Sequence, residues 1–426
     1  MKISGPKHGL TPMNVLFLSN MYPPHVIGGY EALCQEAVEG FARLGHQVSV
    51  LTSTYGYDRE FSEGNIHRLL SLEGDLQFYK MRDAWSYPRR RERNLAHLRR
   101  LIAEQKPDIV FIWGMWNLSK SLAQEAERLM GGRVVYYLAN PWPIEANMHR
   151  QFWDAPATSP LKTLAKRLLR IPARLLLREE WRKIPLRFEH APCCSAAQRD
   201  QLLQAGVPLK DAPVIYEGVD LTNYLAQANK RTFELKDGIL SLVFVGILAE
   251  HKGVHTILEA LSQLPAEERK RLRLTILGKG HQQYEARLHS LVSQHQLADV
   301  VEFHAPIPRA ELPEFLGKYD ALLLPSVWAE PLARIMQEGL ACGMAVVGSA
   351  NGGTAETIVH GENGLLFQPG DAADLAKQIR RLLDEPSLLR KLAEGGRKTA
   401  EERFDIHKMV ANLEAYLLGV IRLHPA

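Results

Sequence analysis

Apolar positions along the chain fall into short unbroken runs separated by longer amphipathic stretches. Val15–Ser19, Val48–Thr52, Pro107–Trp113, Arg133–Leu138, Ala191–Ser195 and Pro213–Tyr216 are such runs. Their brevity, their Val and Ile content and the Gly, Pro and Asn at their ends predict strands buried on both faces. Between them, apolar residues recur at helical spacing, for example over about 30–44 and 119–130. After a polar stretch, Leu225–Gly238, the pattern restarts with Leu240–Val245, Leu272–Leu277, Val300–Phe303, Ala321–Leu324 and Ala345–Val347. Strands that alternate with helices imply parallel sheets joined by crossovers. The predicted fold class is therefore α/β, with two facing doubly wound domains and an inter-domain cleft. Ligands in such sheets bind beyond the carboxyl ends of the strands.

Size agrees, because 426 residues exceed what one ordinary core holds. With 46% hydrophobic and 23% charged residues the composition is globular, and a net charge of +4 gives no reason to expect nucleic acid. No apolar run is long enough to span a bilayer, and Met1–Pro12 lacks the apolar centre of a signal peptide. Residues 1–12 are expected to be a disordered leader and the protein to be cytoplasmic. Cys34, Cys193, Cys194 and Cys342 lack metal-ligand spacing and are expected as buried free thiols, with no metal. Residues 84–100 and 160–187 are rich in Arg and Lys. In the second segment Leu161, Leu164, Leu168 and Leu175 share one helical face, while Lys162, Lys166, Arg170 and Arg174 lie mostly elsewhere. Such a helix either rests on an anionic membrane surface or packs its leucine face on the core.

The stretch Glu330–Glu338 carries the most chemistry. It follows the apolar run Ala321–Pro325, and Pro331 suits the first position of a helix. The amides of Leu332, Ala333 and Arg334 would then point from the positive end of that helix and favour phosphate. Glu330 and Glu338, roughly 12 Å apart along such a helix, would accept hydrogen bonds from hydroxyls on either side. Sugar, diphosphate and ribose in that order describe a nucleotide-sugar. Gly loops recur at the other strand ends: Gly28-Gly29, Gly246 with Lys252-Gly253, Gly278-Lys-Gly280 and Asn351-Gly-Gly-Thr-Ala-Glu356. Each alone reads equally well as a tight turn.

In order, these motifs make the chain resemble a family 4 glycosyltransferase of the two-domain B-type fold (glycosyl transferases group 1). The likeness spans about residues 13–420. It rests on Gly246-x-Leu-x3-Lys252-Gly, Leu277-Gly-x-Gly280, Pro325-Ser326, Glu330-x7-Glu338, Gly352-Gly-x-x-Glu356 and Gly361-x-x-Gly364. In the first half it rests on Ser19-Asn-x-Tyr-Pro-Pro, Gly28-Gly29, Ser195, Gly206-Val-Pro208 and Gly218-Val-Asp220. The resemblance implies a Rossmann-like acceptor domain over 13–222 and a nucleotide-sugar domain over 223–404. It also implies a last helix, 405–426, that returns to the first domain. It implies a retaining, metal-independent hexosyltransferase using a nucleotide-sugar as co-substrate, with no cofactor. Glu330 and Lys252 would be catalytic. Gly28, Gly29, Gly246, Gly278, Gly280, Pro331, Leu332, Ala333, Arg334 and Glu338 would bind the donor, Glu338 at the ribose. The acceptor would be a glycan or a lipid-linked intermediate, which would place the enzyme peripherally on the inner membrane face through residues 160–187.

Three departures stand out. Ile247 occupies a position where the family often has Arg, leaving Arg334 and His251 as candidates for that charge. A His common at an N-terminal strand end is absent, and Trp113 and Asn140 stand at those ends as acceptor-side candidates. Glu217 replaces a common Asn. Trp113, Trp116, Trp142 and Trp153 are read either as a sugar-stacking platform or as core. A non-catalytic nucleotide-sugar binding protein of the same fold is the alternative function. A dinucleotide oxidoreductase is disfavoured, because no strand is followed by Gly-x-Gly-x-x-Gly with an acid at ribose distance.

Overall fold

The computed structural model describes residues 12–74, 79–157, 159–182 and 184–425. The leader expected at 1–12 lies, except for Pro12, outside them. Two compact units emerge. The first takes the chain up to Cys194, Arg199–Ile215 and the end from Val410, and the second takes Ser195–Gln198 and Tyr216–Met409.

The first unit is built on β1 (Asn14–Ser19), β2 (Gln47–Ser53), β3 (Phe61–Glu63), β4 (Ile66–Leu70), β5 (Ile109–Gly114) and β6 (Val134–Tyr136), in the order β3-β4-β2-β1-β5-β6. The pairings are parallel except β3 with β4. Beyond β6, among the described residues, the sheet continues as isolated bridges, Val135 with His190, Leu138 with Cys193 and Cys193 with Val214. The runs Ala191–Ser195 and Pro213–Tyr216 are thus not regular strands. Pro192 and Pro213 supply carbonyls there, to Leu138 N and Cys193 N, but have no N–H to return. The helix Ile406–Leu423 ends in this unit. Val410 packs on Gly40, where a Cβ would come within 2.7 Å of it, and Glu414 Oε1 lies 2.8 Å from His46 Nε2.

The second unit holds β7 (Leu240–Val245), β8 (Leu272–Leu277), β9 (Val301–His304), β10 (Ala321–Leu324), β11 (Ala345–Ser349) and β12 (Leu365–Phe367). Their order is β12-β11-β10-β7-β8-β9, all parallel. The near-continuous apolar strands are covered on both sides, with Leu242, Phe244, Ile276 and Leu323 in one core with helix residues Ile257, Leu288 and Ile379. All four cysteines are free and buried.

The basic segment forms the helix Pro160–Leu176 and the short turn Arg178–Trp181. Its inner face is Lys166, Leu169, Ala173 and Leu177, packed on Tyr79, Tyr87, Phe152 and Trp153. The leucine face is turned the other way: Leu161, Leu164, Leu168, Ile171 and Leu175 are 58–82% exposed. The core-packing reading of that face is therefore wrong. The helix is apolar on two sides, and the small Ala173 and the stem of Lys166 make the closer fit inside. Among the described residues no helix is long and apolar enough to cross a membrane.

Candidate active site

In the second unit β7, β10 and β11 are neighbours in register, Ala321 opposite Leu242 and Ala345. Their carboxyl ends therefore release three loops side by side. Gly253 has φ +69, and a Cβ there would lie 2.0 Å from Pro325 O, so only glycine lets the β7 and β10 loops touch. Gly352 (φ +49) and Gly353 do the same for the β11 loop, with a Cβ 2.2 Å from Glu330 O and from Pro331 O respectively. Gly353 N donates to Glu330 O at 2.8 Å, and Ser349 Oγ donates to Ser326 O at 2.6 Å.

On this platform Lys252 Nζ meets Glu330 Oε1 at 2.5 Å, and Ser326 Oγ donates to Glu330 Oε2 at 3.0 Å. Both charged side chains keep about a fifth of their surface exposed. The pair is thus preorganised and still reachable. The helix that follows differs from expectation. It runs Arg334–Ala341 with Ala333 as its extended cap, so Pro331 is not its first residue. Residues 330–332 lie outside the helix, where Glu330 O and Pro331 O accept bonds from Gly353 N and Ser195 Oγ. Leu332 and Ala333 are buried before the helix begins, and Arg334 opens it.

Glu338 is buried in that helix and paired through Oε1 with Arg309 and with Arg334 Nε, the latter at 3.4 Å. Tyr224 lies near the same carboxylate, and burial, then Glu338, raise the phenol pKa. Arg309 and Tyr224 were not anticipated, and Ser326, though part of the Pro325-Ser326 motif, had no role assigned to it. A buried Glu demands a cation, but nothing in the spacing of the chain says that Arg309 supplies it.

The remaining expected residues fall out differently. Gly278 and Gly280 are required by chain approach, since a Cβ would sit 1.9 Å from Gly246 O or 1.8 Å from Leu248 O. Ile247 is exposed at the strand end. Burial first, then Lys252, lower the pKa of His251, so it does not replace the missing charge. Glu356 caps a helix, accepting from Ala196 N, Ala197 N and Tyr216 Oη at 3.1, 2.9 and 2.6 Å.

In the first unit Gly28 caps the helix Gly29–Arg43, and its N–H donates to Glu31 Oε2 at 3.0 Å. That helix end already carries a carboxylate. Trp113 is a correction: it is fully buried, donates through Nε1 to Tyr30 O at 3.2 Å, stacks on the Tyr30 ring and packs against the tilted ring of Tyr137. Trp142 and Trp153 are buried too, in different clusters. Trp113, Trp142 and Trp153 are therefore core, whereas Trp116 is half-buried and lines a small recess with Trp142 and Lys120. Asn140 accepts from Trp142 N at 3.4 Å, closing its own turn. A polar recess of about 290 Å³ lies beside β2 and β4, lined by Thr54, Tyr55, Ser71, Lys80, Asp83 and Arg90 among others.

Residues 227–399 match the family described as glycosyl transferases group 1, and residues 27–223 match glycosyltransferase family 4. The chain belongs to the family 4, group 1 glycosyltransferases. It is 28% identical to the glycogen synthase of Mycobacterium tuberculosis over 95% of this chain and 94% of that one. Sucrose-phosphate synthase from Thermosynechococcus elongatus superposes with a TM-score of 0.71 at 19% identity, covering 96% of this chain and all of the other. Anabaena Alr3699/HepE in complex with UDP-glucose does so at 0.65 and 20%, again over 96% and 100%. The fold is thus the B-type glycosyltransferase fold, and the protein is a glycosyltransferase.

Proposed function

We propose that this glycosyltransferase moves a hexose from a nucleotide-diphosphate sugar to a hydroxyl acceptor with retention and without a metal. The observation that carries the reading is the Lys252–Glu330 pair, half-open and fixed by three abutting strand-end loops. Lys252 would stabilise the charge growing on the departing diphosphate, the largest catalytic effect available to such a site. Glu330, held by Ser326, would accept from the hydroxyls of the transferred sugar. Glu338, steadied on Oε1 by two guanidinium groups, would accept from the ribose. Lys252, Arg309 and Arg334 against Glu330 and Glu338 leave one positive charge over, which suits a diphosphate. The UDP-glucose in the Anabaena relative supports a donor of this class.

For the acceptor, the reading is a lipid-linked glycan presented at an anionic membrane. The exposed leucine face supports it, together with the exposed Arg167, Arg174 and Arg178 on the same helical segment. Positive charge beside an outward apolar stripe fits an anionic lipid surface better than a neutral protein partner. The polar recess at β2 and β4 is of the size and character to hold acceptor hydroxyls.

Thermal shift with UDP, GDP, ADP and dTDP and their hexose conjugates tests the donor. A ligand at 100 times its dissociation constant adds about 2.7 kcal/mol, and one nucleotide should stand out. Lys252→Ala should keep the fold and lose transfer by orders of magnitude. Near-normal turnover in that variant refutes its role. Nucleotide binding without donor hydrolysis or transfer would favour the non-catalytic alternative.

A further inference from the structure

Away from this site, three metal-ligating groups converge at the end of the last helix. His190 Nε2 and His424 Nε2 are 3.0 Å apart, Glu189 Oε1 is 3.7 Å from His424 Nε2, and all three atoms lie within 4.8 Å of one another. We propose that Glu189, His190 and His424 bind a divalent transition-metal ion of the zinc class, which fastens the end of the last helix to the first sheet.

The spacing fits the ion. Tetrahedral zinc with bonds of about 2.0–2.1 Å holds adjacent ligand atoms about 3.3 Å apart, and the observed 3.0 and 3.7 Å straddle that value. The third separation, Glu189 to His190, is within 4.8 Å and would close on the ion. The chemistry also fits. Two facing imidazole nitrogens 3.0 Å apart leave room for only one proton between them. A divalent cation accepts lone pairs from all three groups, and water completes its shell.

The supports are rigid. His190 is bridged to Val135, and its carbonyl accepts from Tyr136 N at 2.9 Å, so it is carried by the edge of the sheet. Its ring meets Tyr416 edge-on. His424 N bonds Val420 O at 3.1 Å, continuing the helical turn, and its ring fills the space above Gly132, where a Cβ would lie 2.3 Å away. The same helix is already pinned nearer its start by Val410 on Gly40 and Glu414 on His46. The ion would secure the other end.

The test uses the full-length protein freed of metal with a chelator and titrated with Zn²⁺ and Co²⁺. One equivalent should bind, with the visible absorption of tetrahedral Co²⁺. His424→Ala and His190→Gln should lose that signature, and Glu189→Gln should weaken binding by more than the ~10–100-fold typical of changes outside the ligand shell. A melting curve of metal-free His424→Ala beside that of the metal-free native protein checks that the variant keeps its fold, since the ring packs on Gly132 and His190. Failure of the native protein to bind at micromolar metal, or undiminished binding in His424→Ala, overturns the proposal.

Discussion

Replacing Leu168 and Ile171 with Asp should detach the protein from anionic vesicles while leaving its fold and its reaction with a soluble acceptor intact. Both residues are about two-thirds exposed and belong to a face of five apolar side chains, 58–82% exposed. Full burial of one such side chain is worth about 1.5–3 kcal/mol, so the shallow burial expected at a lipid interface yields about 1 kcal/mol each. Two acidic groups in place of these residues also meet the surface potential with the wrong sign, at about 1 kcal/mol per charge. The double variant should therefore lose about 4 kcal/mol, several hundredfold in partitioning. Co-sedimentation with vesicles with and without phosphatidylglycerol measures it. Unchanged sedimentation, or no binding by the native protein, refutes the membrane reading. A concentration-dependent dimer lost in the same variant would make a second copy the occupant. Lys166 is the wrong residue for this experiment despite its charge. Its ammonium donates to Ala155 O at 2.6 Å and lies 4.2 Å from the centre of the Phe152 ring, on the inner face.

Gly353→Ala should cripple transfer more than it destabilises, because its Cβ would displace Pro331 O, 2.2 Å away, and shift the loop that carries Glu330. A melting temperature lowered by no more than a cost of about 1–3 kcal/mol implies, with kcat/KM down over tenfold, is the expected pattern. Wild-type kinetics would show that the loop has no need of that contact. Glu73 gives a pH prediction. Burial, then nearby Glu180, raise its carboxyl pKa from 4.5 to about 8 in the folded state. The stability tied to its buried neutral form is complete below pH 4.5 and is lost as pH rises toward 8. Glu73→Gln should flatten that decline, leaving the variant more stable than the native protein at pH 8 by on the order of a few kcal/mol. Melting curves at pH 5 and pH 8 that fall in parallel for both proteins would contradict this.

The alternation of apolar runs and helices was enough to determine two parallel α/β units, because strands buried on both faces must be apolar nearly throughout. It was not enough for β3 and β4, where Phe61–Glu63 and Ile66–Leu70 mix polar residues into an edge hairpin. Prolines cut the expected strands near residues 192 and 213 to single bridges. At the candidate site, spacing singled out Glu330 and Glu338, and the ordered motifs of the resemblance added Lys252. Their partners were not legible. Arg309 reaches Glu338 across 29 positions of sequence, Ser195 pins Pro331 across 136, and the late start of the helix at Arg334 follows from those bonds. Trp113 and the leucine helix make the same point in opposite senses. A tryptophan at a strand end was buried by Tyr30 and Tyr137, and a leucine face was left outside because another face packed better. Periodicity tells which residues share a side. Only the competition among surfaces for the same core decides which side is turned inward.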